Sequence, residues 1–431
     1  MGISFFCAIF ALSHEPTEMP MKRFVIFLIM TATFTVMQAQ QLYVVSGVVK
    51  DQTNGKALSH VSVTIGGTGT VTNEQGLFTI KLNRRPDQLK ASMLGYRTRR
   101  IALSNTEQQR IEINLQPNSI RLNEITVTPL SPEDIVRKAL QKVPVNYSTV
   151  PLLYKGFYRE TVQKRRQFIS ISEAVVDVYK TPYTMQNTNQ DAVAITRGRR
   201  LLNMKPADTL GVKLMGGPTM PVIADVLKNN EMLFYEDDMP NYHFELDNPV
   251  MLGDRMQYVV KMTPHIQRIY ALFFATLYID QQTLAFTRVE MELDMSHPGR
   301  ATTSMLVHKP LSLRFRPREL CFVIDYRTEQ DETHLSYIRN VMRFNCDWKR
   351  KLFSSPFTVI SEFVVTDRQE EAIRPIRGRD SFSRRDKLYD KVEYFNDPNF
   401  WGADNIIEPT ESLDKAIERL KLRVKRQRNK P

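Results

Sequence analysis

Cysteine is scarce in this chain, whose 431 residues include only Cys7, Cys321 and Cys346. So few cysteines exclude a disulfide scaffold and most zinc-ribbon architectures. Whether Cys321 and Cys346 pair is left open, because both lie in apolar runs where a buried free thiol also fits. With 42% hydrophobic and 25% charged residues, the chain has enough apolar residues to form hydrophobic cores. This composition excludes a disordered or collagen-like protein.

The common catalytic motifs are also missing. No GxSxG pentapeptide of an α/β-hydrolase occurs, and none of the seven histidines stands in an HExxH or HxxE arrangement. The Gly66–Gly69 loop lacks the glycine spacing of a nucleotide-binding loop. Glu236-Asp237-Asp238 lacks the alternating ligand positions of a calcium-binding loop, so we predict a solvated acidic loop there. We therefore predict a non-enzymatic protein without catalytic, metal or cofactor-binding residues. A hydrolase whose site is spread over several strands stays open as an alternative.

No apolar run near the N-terminus reaches the ~20 residues of a membrane-spanning helix. Instead, Met21-Lys22-Arg23 precedes the uncharged run from Phe24 to Met37, and Gln38-Ala39-Gln40 closes it. This order predicts a secretory signal peptide at residues 21–39, with residues 1–20 as a non-native extension and a mature start near Gln40. Since no cysteine follows the apolar run, a lipoprotein anchor is not expected. We predict export to the periplasm or outer membrane.

Residues 40–117 show the pattern of a small β-sandwich. Apolar residues alternate with polar ones in three short segments, and the region contains turn signals such as Asn54-Gly55. Alternation of this kind indicates strands with one buried face and one solvent-exposed face. We predict that these strands pack as two antiparallel layers. The alternating apolar positions are Val61, Val63, Ile65, Phe78, Ile80, Leu82, Ile111, Ile113 and Leu115.

Several of these segments resemble the carboxypeptidase regulatory-like domain. The resemblance rests on Val45–Asp51, Gly55, Val61–Ile65, Thr72, Gly76–Ile80 and Leu94-Gly95-Tyr96. It implies a seven-stranded, prealbumin-like sandwich of the kind that opens cell-envelope proteins of Bacteroidetes, and it brings no active site because the family's role is accessory. Leu122–Thr128 is similar to the segment that follows this domain in TonB-dependent transporters, which suggests as an alternative an accessory component of a TonB-dependent uptake system.

Residues 118–150 are predicted to form a linker with one short helix. Ser131-Pro132-Glu133-Asp134 has the cap, first-turn proline and acids that begin a helix. From residue 151 to 406 long alternating segments predict one large, curved antiparallel sheet with helices on one face, and Met220–Lys228 is its best helix candidate. The fold class is therefore mainly β.

One stretch within this β-rich region, Leu277–Ala285, resembles the strand–turn–strand of envelope lipid and lipoprotein carriers with a half-barrel fold. The alternative is an ordinary hairpin whose turn begins at Asp280. Two apolar strand faces could line a groove for an amphipathic ligand, or could face an ordinary core. These faces are Met256, Tyr258, Val260 and Met262, and Ile338, Met342 and Phe344.

Residues 407–431 are predicted to form a basic amphipathic helix. From Arg419 to the end there are seven cations and no acid, and the net charge of the whole chain is +12. Export makes nucleic acid an implausible partner, so the choice lies between a solvated helix end and contact with anionic lipid or another anionic partner at the outer membrane. The candidate contact residues are Arg419, Lys421, Arg423, Lys425 and Arg426. Together these features predict a cell-envelope protein with a binding or structural role, for an envelope protein or a lipidic ligand.

Overall fold

The computed structural model describes residues 42–118, 130–202, 212–348, 354–371, 373–383, 385–394 and 400–428. The predicted signal peptide and the Leu122–Thr128 segment lie outside these residues. Seven strands form the N-terminal sandwich: β1 (Tyr43–Asp51), β2 (Ser62–Ile65), β3 (Thr68–Val71), β4 (Leu77–Leu82), β5 (Gln88–Ser92), β6 (Arg99–Ala102) and β7 (Gln108–Leu115).

The sandwich has two layers, with strand orders β4-β1-β7 and β3-β2-β5-β6. Its core includes most of the predicted alternating apolar side chains, such as Phe78 and Ile113, together with Val45 of β1 and Leu89 of β5, whereas the predicted Ile111 is only partly buried. The prediction of purely antiparallel layers is wrong at one pairing, because β7 runs parallel to β1. Gly66 and Gly67 have positive φ angles and form the turn between β2 and β3, as predicted.

The second part of the chain forms one sheet of eleven strands in the order β12-β13-β14-β15-β17-β18-β19-β8-β9-β10-β20. Every pairing in it is antiparallel except that of β10 with β20. Its strands, with the separate pair β11 and β16, are β8 (Leu152–Lys164), β9 (Gln167–Lys180), β10 (Ala192–Leu202), β11 (Lys213–Leu214), β12 (Tyr242–Leu252), β13 (Arg255–Pro264), β14 (Phe273–Asp280), β15 (Phe286–Leu293), β16 (Leu306–His308), β17 (Leu313–Glu329), β18 (Glu332–Trp348), β19 (Ser355–Gln369) and β20 (Glu393–Tyr394).

The helices are short apart from the last one. They are α1 (Pro132–Gln141), α2 (Val143–Asn146), α3 (Met220–Ile223), α4 (Pro298–Met305), α5 (Leu388–Lys391) and α6 (Glu411–Arg428). The α1 cap is the predicted one, since the Ser131 Oγ accepts a hydrogen bond from the Asp134 amide at 3.1 Å. No helix among the described residues is long and apolar enough to span a membrane.

The two faces of the large sheet are covered differently. On the inner face, α1, α3 and the chain around them bury the main core with residues such as Ile135, Val226 and Phe286. On the outer face, the sandwich packs through Val71 onto Phe157 and Val364 of the sheet. The chain from Phe400 to Thr410 lies against the sandwich, with Asn405 exchanging hydrogen bonds with the backbone of Lys81. Helix α6 covers β9 and β10 beside it.

The helix predicted over Met220–Lys228 is only one turn long, because α3 ends at Ile223. Beyond it the chain turns so that Asp225 and Lys228 enter the core and pair with groups from other elements. The predicted hairpin at Leu277–Ala285 is present, and Asp280 Oδ1 accepts from the amides of Gln282 and Thr283, both at 3.0 Å. An Asp-initiated turn therefore connects β14 to β15.

Cys321 and Cys346 are both free thiols. Cys346 is buried in the main core, with the side chains of Phe344 and Phe357, and Cys321 is partly exposed. Burial raises the pKa of both, to about 12 for Cys321 and about 11 for Cys346. Neither thiol is therefore set up as a nucleophile near neutral pH.

Candidate functional site

A cavity of about 300 Å³ lies on the inner face of the large sheet, and we call it the inner-face cavity. Its floor is formed by side chains of β17, β18 and β19, and its roof by the segment around α3 and by α4. The floor contributes Leu320, Phe322, Asn340, Met342 and Ser361; the remaining wall includes Met215, Met220, Ala224, Met232, Leu233, Tyr270, Phe273 and Ser304. A mostly apolar wall with a few polar groups is typical of small-molecule sites of this size.

The floor changes from apolar to polar along one line across the sheet. The strand registers place Met291 beside Phe322, Phe322 beside Asn340, and Asn340 beside Ser361. Ser361 is in turn beside Glu160 on β8, and Glu160 beside Ser172 on β9. Because residues paired in this way lie on the same face of a sheet, the cavity spans the boundary between an apolar row and a polar row.

The polar row is hydrogen-bonded. The Tyr158 hydroxyl lies 3.0 Å from Glu160 Oε2 and 3.1 Å from Ser361 Oγ, and Asn340 Nδ2 donates to the Cys321 carbonyl at 3.2 Å. Burial raises the pKa of Glu160 above its ordinary value. Asn340 lines the cavity, and no described residue donates a hydrogen bond to its amide oxygen. This oxygen can therefore accept a hydrogen bond from a donor group on a ligand.

Asp238, for which the sequence predicted a position in a solvated acidic loop, lines the cavity together with Tyr270. Asp238 is buried, in contrast to its neighbours Glu236 and Asp237, and it accepts hydrogen bonds from Tyr270 at 2.7 Å and from Arg268 at 3.2 Å. Burial and the Asp238 carboxylate raise the pKa of Tyr270 to about 12. The expectation of a solvated acidic loop is therefore wrong for Asp238, which positions a ring that lines the cavity.

The roof is fixed to the sheet by a fully buried ion pair. Lys180 on β9 and Asp225 just after α3 are both 0% exposed and hydrogen-bonded to each other. The hydroxyls of Tyr183 and Tyr326 also donate to Asp225, at 2.6 Å and 2.8 Å. Since removing one partner of such a pair leaves an uncompensated buried charge, this network ties the segment over the cavity to one position.

The two apolar strand faces proposed from the sequence lie mainly in the core. Val260, Met262, Ile338 and Phe344 are buried there with the side chains around them. Only Met342 of these residues lines the inner-face cavity. The sequence analysis did not predict the polar floor, although one signal was present: Asn340 occupies a core-facing position of β18 between Ile338 and Met342.

The basic C-terminal helix is formed as α6. Its apolar residues Leu413, Ala416, Ile417 and Leu420 pack on the sheet. Arg419 is exposed, and Lys421 lies 2.8 Å from Glu418. The side chains of Arg423, Lys425 and Arg426 lie outside the described part of the structure, so their role as anionic contacts stays a prediction. Among the described residues, no group of three or more His, Cys, Asp and Glu side chains is arranged to hold a metal ion.

Comparison with known families identifies the N-terminal part of the chain. Residues 45–127 match the CarboxypepD_reg-like domain. The match covers the seven strands described above and extends beyond β7. No curated protein matches this chain.

Solved structures give more distant likenesses. A DUF1329 family protein from Desulfovibrio piger is 10% identical with a TM-score of 0.24, over 56% of this chain and 92% of that one. A putative outer membrane lipoprotein-sorting protein domain from Vibrio parahaemolyticus is 8% identical with a TM-score of 0.25, over 57% and 94%. A LolA superfamily protein from Nitrosomonas europaea is 9% identical with a TM-score of 0.20, over 57% and 97%. Similarity at this level supports no inference about ligand or function. The comparisons thus identify one region: residues 45–127 form a carboxypeptidase regulatory-like domain.

Proposed function

We propose that the protein binds an amphipathic ligand in the inner-face cavity and performs no chemistry on it. The observation that carries this proposal is the line across the cavity floor from Phe322 to Asn340 and Ser361. Beyond the cavity lining, Met291 continues this line on the apolar side and Glu160 on the polar side. An apolar chain would lie over the first residues and a polar headgroup over the last. The volume of about 300 Å³ is at the lower end of the range for ligand sites, so it suits one acyl chain rather than a bulky lipid.

The polar end offers both kinds of hydrogen-bonding group. The Asn340 amide oxygen accepts, and the Ser361 hydroxyl can donate while it receives the Tyr158 hydroxyl. Among the residues that the structure describes, no cation lines the cavity, and the charged residues of its lining are Glu231 and Asp238. A neutral headgroup with a donor, such as a hydroxyl or an amide, therefore fits better than a carboxylate or a phosphate.

The test is a comparison of two phenylalanine variants on α4. Ser304 lines the cavity, whereas Thr303 is exposed on the same helix and does not. The probe is a fluorescent long-chain N-acyl ethanolamide, which has a neutral, donor-bearing headgroup. We expect Ser304→Phe to weaken its binding at least tenfold by occupying the cavity, and Thr303→Phe to bind as the unchanged protein does. Melting temperatures of all three proteins show whether either substitution damages the fold.

Two results would contradict the proposal. One is an unchanged protein that neither binds the probe nor yields a lipid when protein from its native cells is extracted for mass spectrometry. The other is a folded Ser304→Phe variant with full affinity. Turnover of the probe on prolonged incubation would instead indicate an enzyme and overturn the non-enzymatic part of the proposal.

We also propose that the protein acts in the cell envelope. Support comes from the charged start at Met21-Lys22-Arg23, the apolar run after it and the regulatory-like domain at residues 45–127. N-terminal analysis of protein from the envelope fraction should give a start near Gln40. An intact Met1 or Met21 on cytoplasmic protein would contradict this localisation.

A further inference from the structure

A long stretch of the chain beside the inner-face cavity contains no acid. From Met295 to Arg318 there is no Asp or Glu, while Arg300, Lys309, Arg314, Arg316 and Arg318 are cations. The stretch comprises α4, β16 and the first part of β17. It therefore carries a local positive charge.

The three arginines of β17 form an exposed row. Arg314, Arg316 and Arg318 are exposed, whereas Leu313 before them and Pro317 among them are buried. Alternation places Arg314 and Arg316 on the outer face of the sheet, opposite Asp347 and Asn345 of β18, and Arg318 lies at a β-bulge next to them. Arg343 on the neighbouring strand is paired with Glu319 at 2.5 Å. No described residue forms an ion pair with any of the three arginines, so their charges are available to a partner.

Exposed apolar side chains accompany these cations. Leu311, which lies between Lys309 and Arg314, is 88% exposed, and Val307 on β16 is 42% exposed. A fully exposed leucine beside three arginines has no role in a core. Together, cations and protruding aliphatic groups are the combination that binds the interface of an anionic membrane.

A strained turn adds two further cations at the same end of the sheet. The turn from β8 to β9 consists of Arg165 and Arg166, which are exposed and have φ angles of 50° and 66°. Glycine or asparagine is usual at such positions, and other residues adopt them at a cost. The pairing of Lys164 with Phe357, Phe357 with Phe344, and Phe344 with Pro317 puts this turn level with the arginine row. The two are three strands apart, or about 14 Å.

Two residues that line the inner-face cavity are close in sequence to this stretch of the chain. Ser304 lies two residues before β16, and β16 pairs with β11, which is followed by Met215. Helix α6 also covers the matching end of β9 and β10, since it packs on Phe168, Ile171 and Leu201. The arginines of β17 and those of the turn from β8 to β9 thus lie at one end of the sheet.

We propose that this end is a docking surface for an anionic lipid bilayer. The row Arg314, Arg316 and Arg318 contacts phosphate groups, and Leu311 enters the interface. This inference names the partner from which the ligand of the proposed function would be taken up, but the docking surface does not depend on that ligand. It adds a second candidate surface, at the start of β17, to the C-terminal helix residues that the sequence offers as possible anionic contacts.

The experiment measures binding of the full chain to vesicles by co-sedimentation. Vesicles of phosphatidylglycerol mixed with phosphatidylcholine are compared with vesicles of phosphatidylcholine alone, each over a series of salt concentrations. The test variant combines Arg314→Gln, Arg316→Gln and Arg318→Gln. The matched control combines Arg97→Gln, Arg99→Gln and Arg110→Gln, three exposed arginines of the sandwich with the same total charge change.

We expect the unchanged protein to prefer the anionic vesicles and to lose that preference as salt is added. Each cation near an anionic surface strengthens binding about fivefold, so the β17 variant should bind roughly a hundredfold more weakly, and the control should bind nearly as the unchanged protein does. Leu311→Ser should weaken binding less, by a factor that salt does not change. Ser304→Phe should bind vesicles normally, which separates this inference from the proposed function.

Four results would overturn it. The unchanged protein could show no preference for anionic vesicles, or the β17 variant could bind as tightly as the unchanged protein. The sandwich control could lose as much binding as the β17 variant, which would indicate an effect of net charge alone. Double-stranded DNA could be bound as tightly as the vesicles and with the same loss in the β17 variant, which would identify the surface as a general polyanion site.

Discussion

The sandwich and the large sheet bury polar groups in different ways. Buried polar side chains of the sandwich bond to backbone or to neutral groups: the Thr72 hydroxyl donates to the Leu58 carbonyl at 2.7 Å, and the Tyr96 hydroxyl donates to the Asp51 carboxylate at 2.9 Å. The large sheet instead buries ion pairs between different elements. Besides Lys180 and Asp225, Glu173 lies 2.6 Å from both Arg159 and Arg199.

This difference indicates which interactions stabilise each region and which interactions fix the positions of its elements. An apolar core stabilises a fold in proportion to buried area and tolerates small adjustments. A buried ion pair adds little net stability, but each charge must find its partner or the fold fails. We therefore interpret the sandwich as a stable support and the charged network as the device that sets the roof of the inner-face cavity.

The largest effect is expected from Asp225→Ala. It leaves Lys180 charged and buried, and it removes the acceptor of Tyr183 and Tyr326, so we expect a loss in the upper part of about 3–5 kcal/mol. Urea denaturation of the full chain measures it. Asp247→Ala, which breaks the exposed pair between Asp247 and Lys261, is the control and should cost far less because water screens that pair. Equal losses of unfolding free energy in the two variants would show that the buried pair is no more important to the fold than the exposed pair.

Phe78→Ala should destabilise the sandwich by about 3–5 kcal/mol, because its ring is 1% exposed and fills the core against Gly47. Phe274→Ala on β14 is the control, since that ring is 42% exposed on the sheet. Hydrogen exchange followed by mass spectrometry shows which strands are affected. Faster hydrogen exchange confined to β1–β7 would show that the sandwich unfolds independently of the large sheet. Equally faster exchange across the large sheet would show that the two regions unfold together.

A smaller, pH-dependent effect is expected at His334. Burial and the neighbouring Arg327 and Arg368 hold the pKa of His334 well below its usual range, so it stays neutral in the fold. As the pH falls below about 6.5 the unfolded chain takes up a proton that the folded chain does not, and stability falls by up to about 1.4 kcal/mol per pH unit. His334→Gln should remove this part of the slope.

The free energy of unfolding, measured between pH 8 and pH 5, checks this expectation. Above pH 7 the variant and the unchanged protein should have parallel curves, since the histidine is neutral in both states there. The sandwich residue His60 has a pKa lowered by burial but opposed by Glu362, so His60→Gln should change the slope less. An unchanged slope in His334→Gln would contradict the assigned origin.

Local patterns predicted those elements whose contacts are close in sequence. The strands of the sandwich, the cap of α1 at Ser131 and the turn at Asp280 follow from alternation and from hydrogen bonds within a few residues. The regulatory-like domain was identified on the same basis, since its glycines and apolar positions are read in order along the chain. A large antiparallel sheet could also be predicted, because polar and apolar residues alternate along its strands and mark a solvent-exposed face and a buried face.

Contacts between distant residues were decided only by the tertiary structure. Asp225 belongs to a segment with helical pattern, yet its helix ends at Ile223 because Lys180, Tyr183 and Tyr326 meet its carboxylate in the core. The row from Phe322 through Asn340 and Ser361 to Glu160 joins four strands. Strand register aligns these residues, and register depends on bulges and pairings that no single segment encodes. The sequence by itself therefore determined the regulatory-like domain and the strand-rich character of the rest, whereas the cavity and its polar floor exist only once the strands are paired.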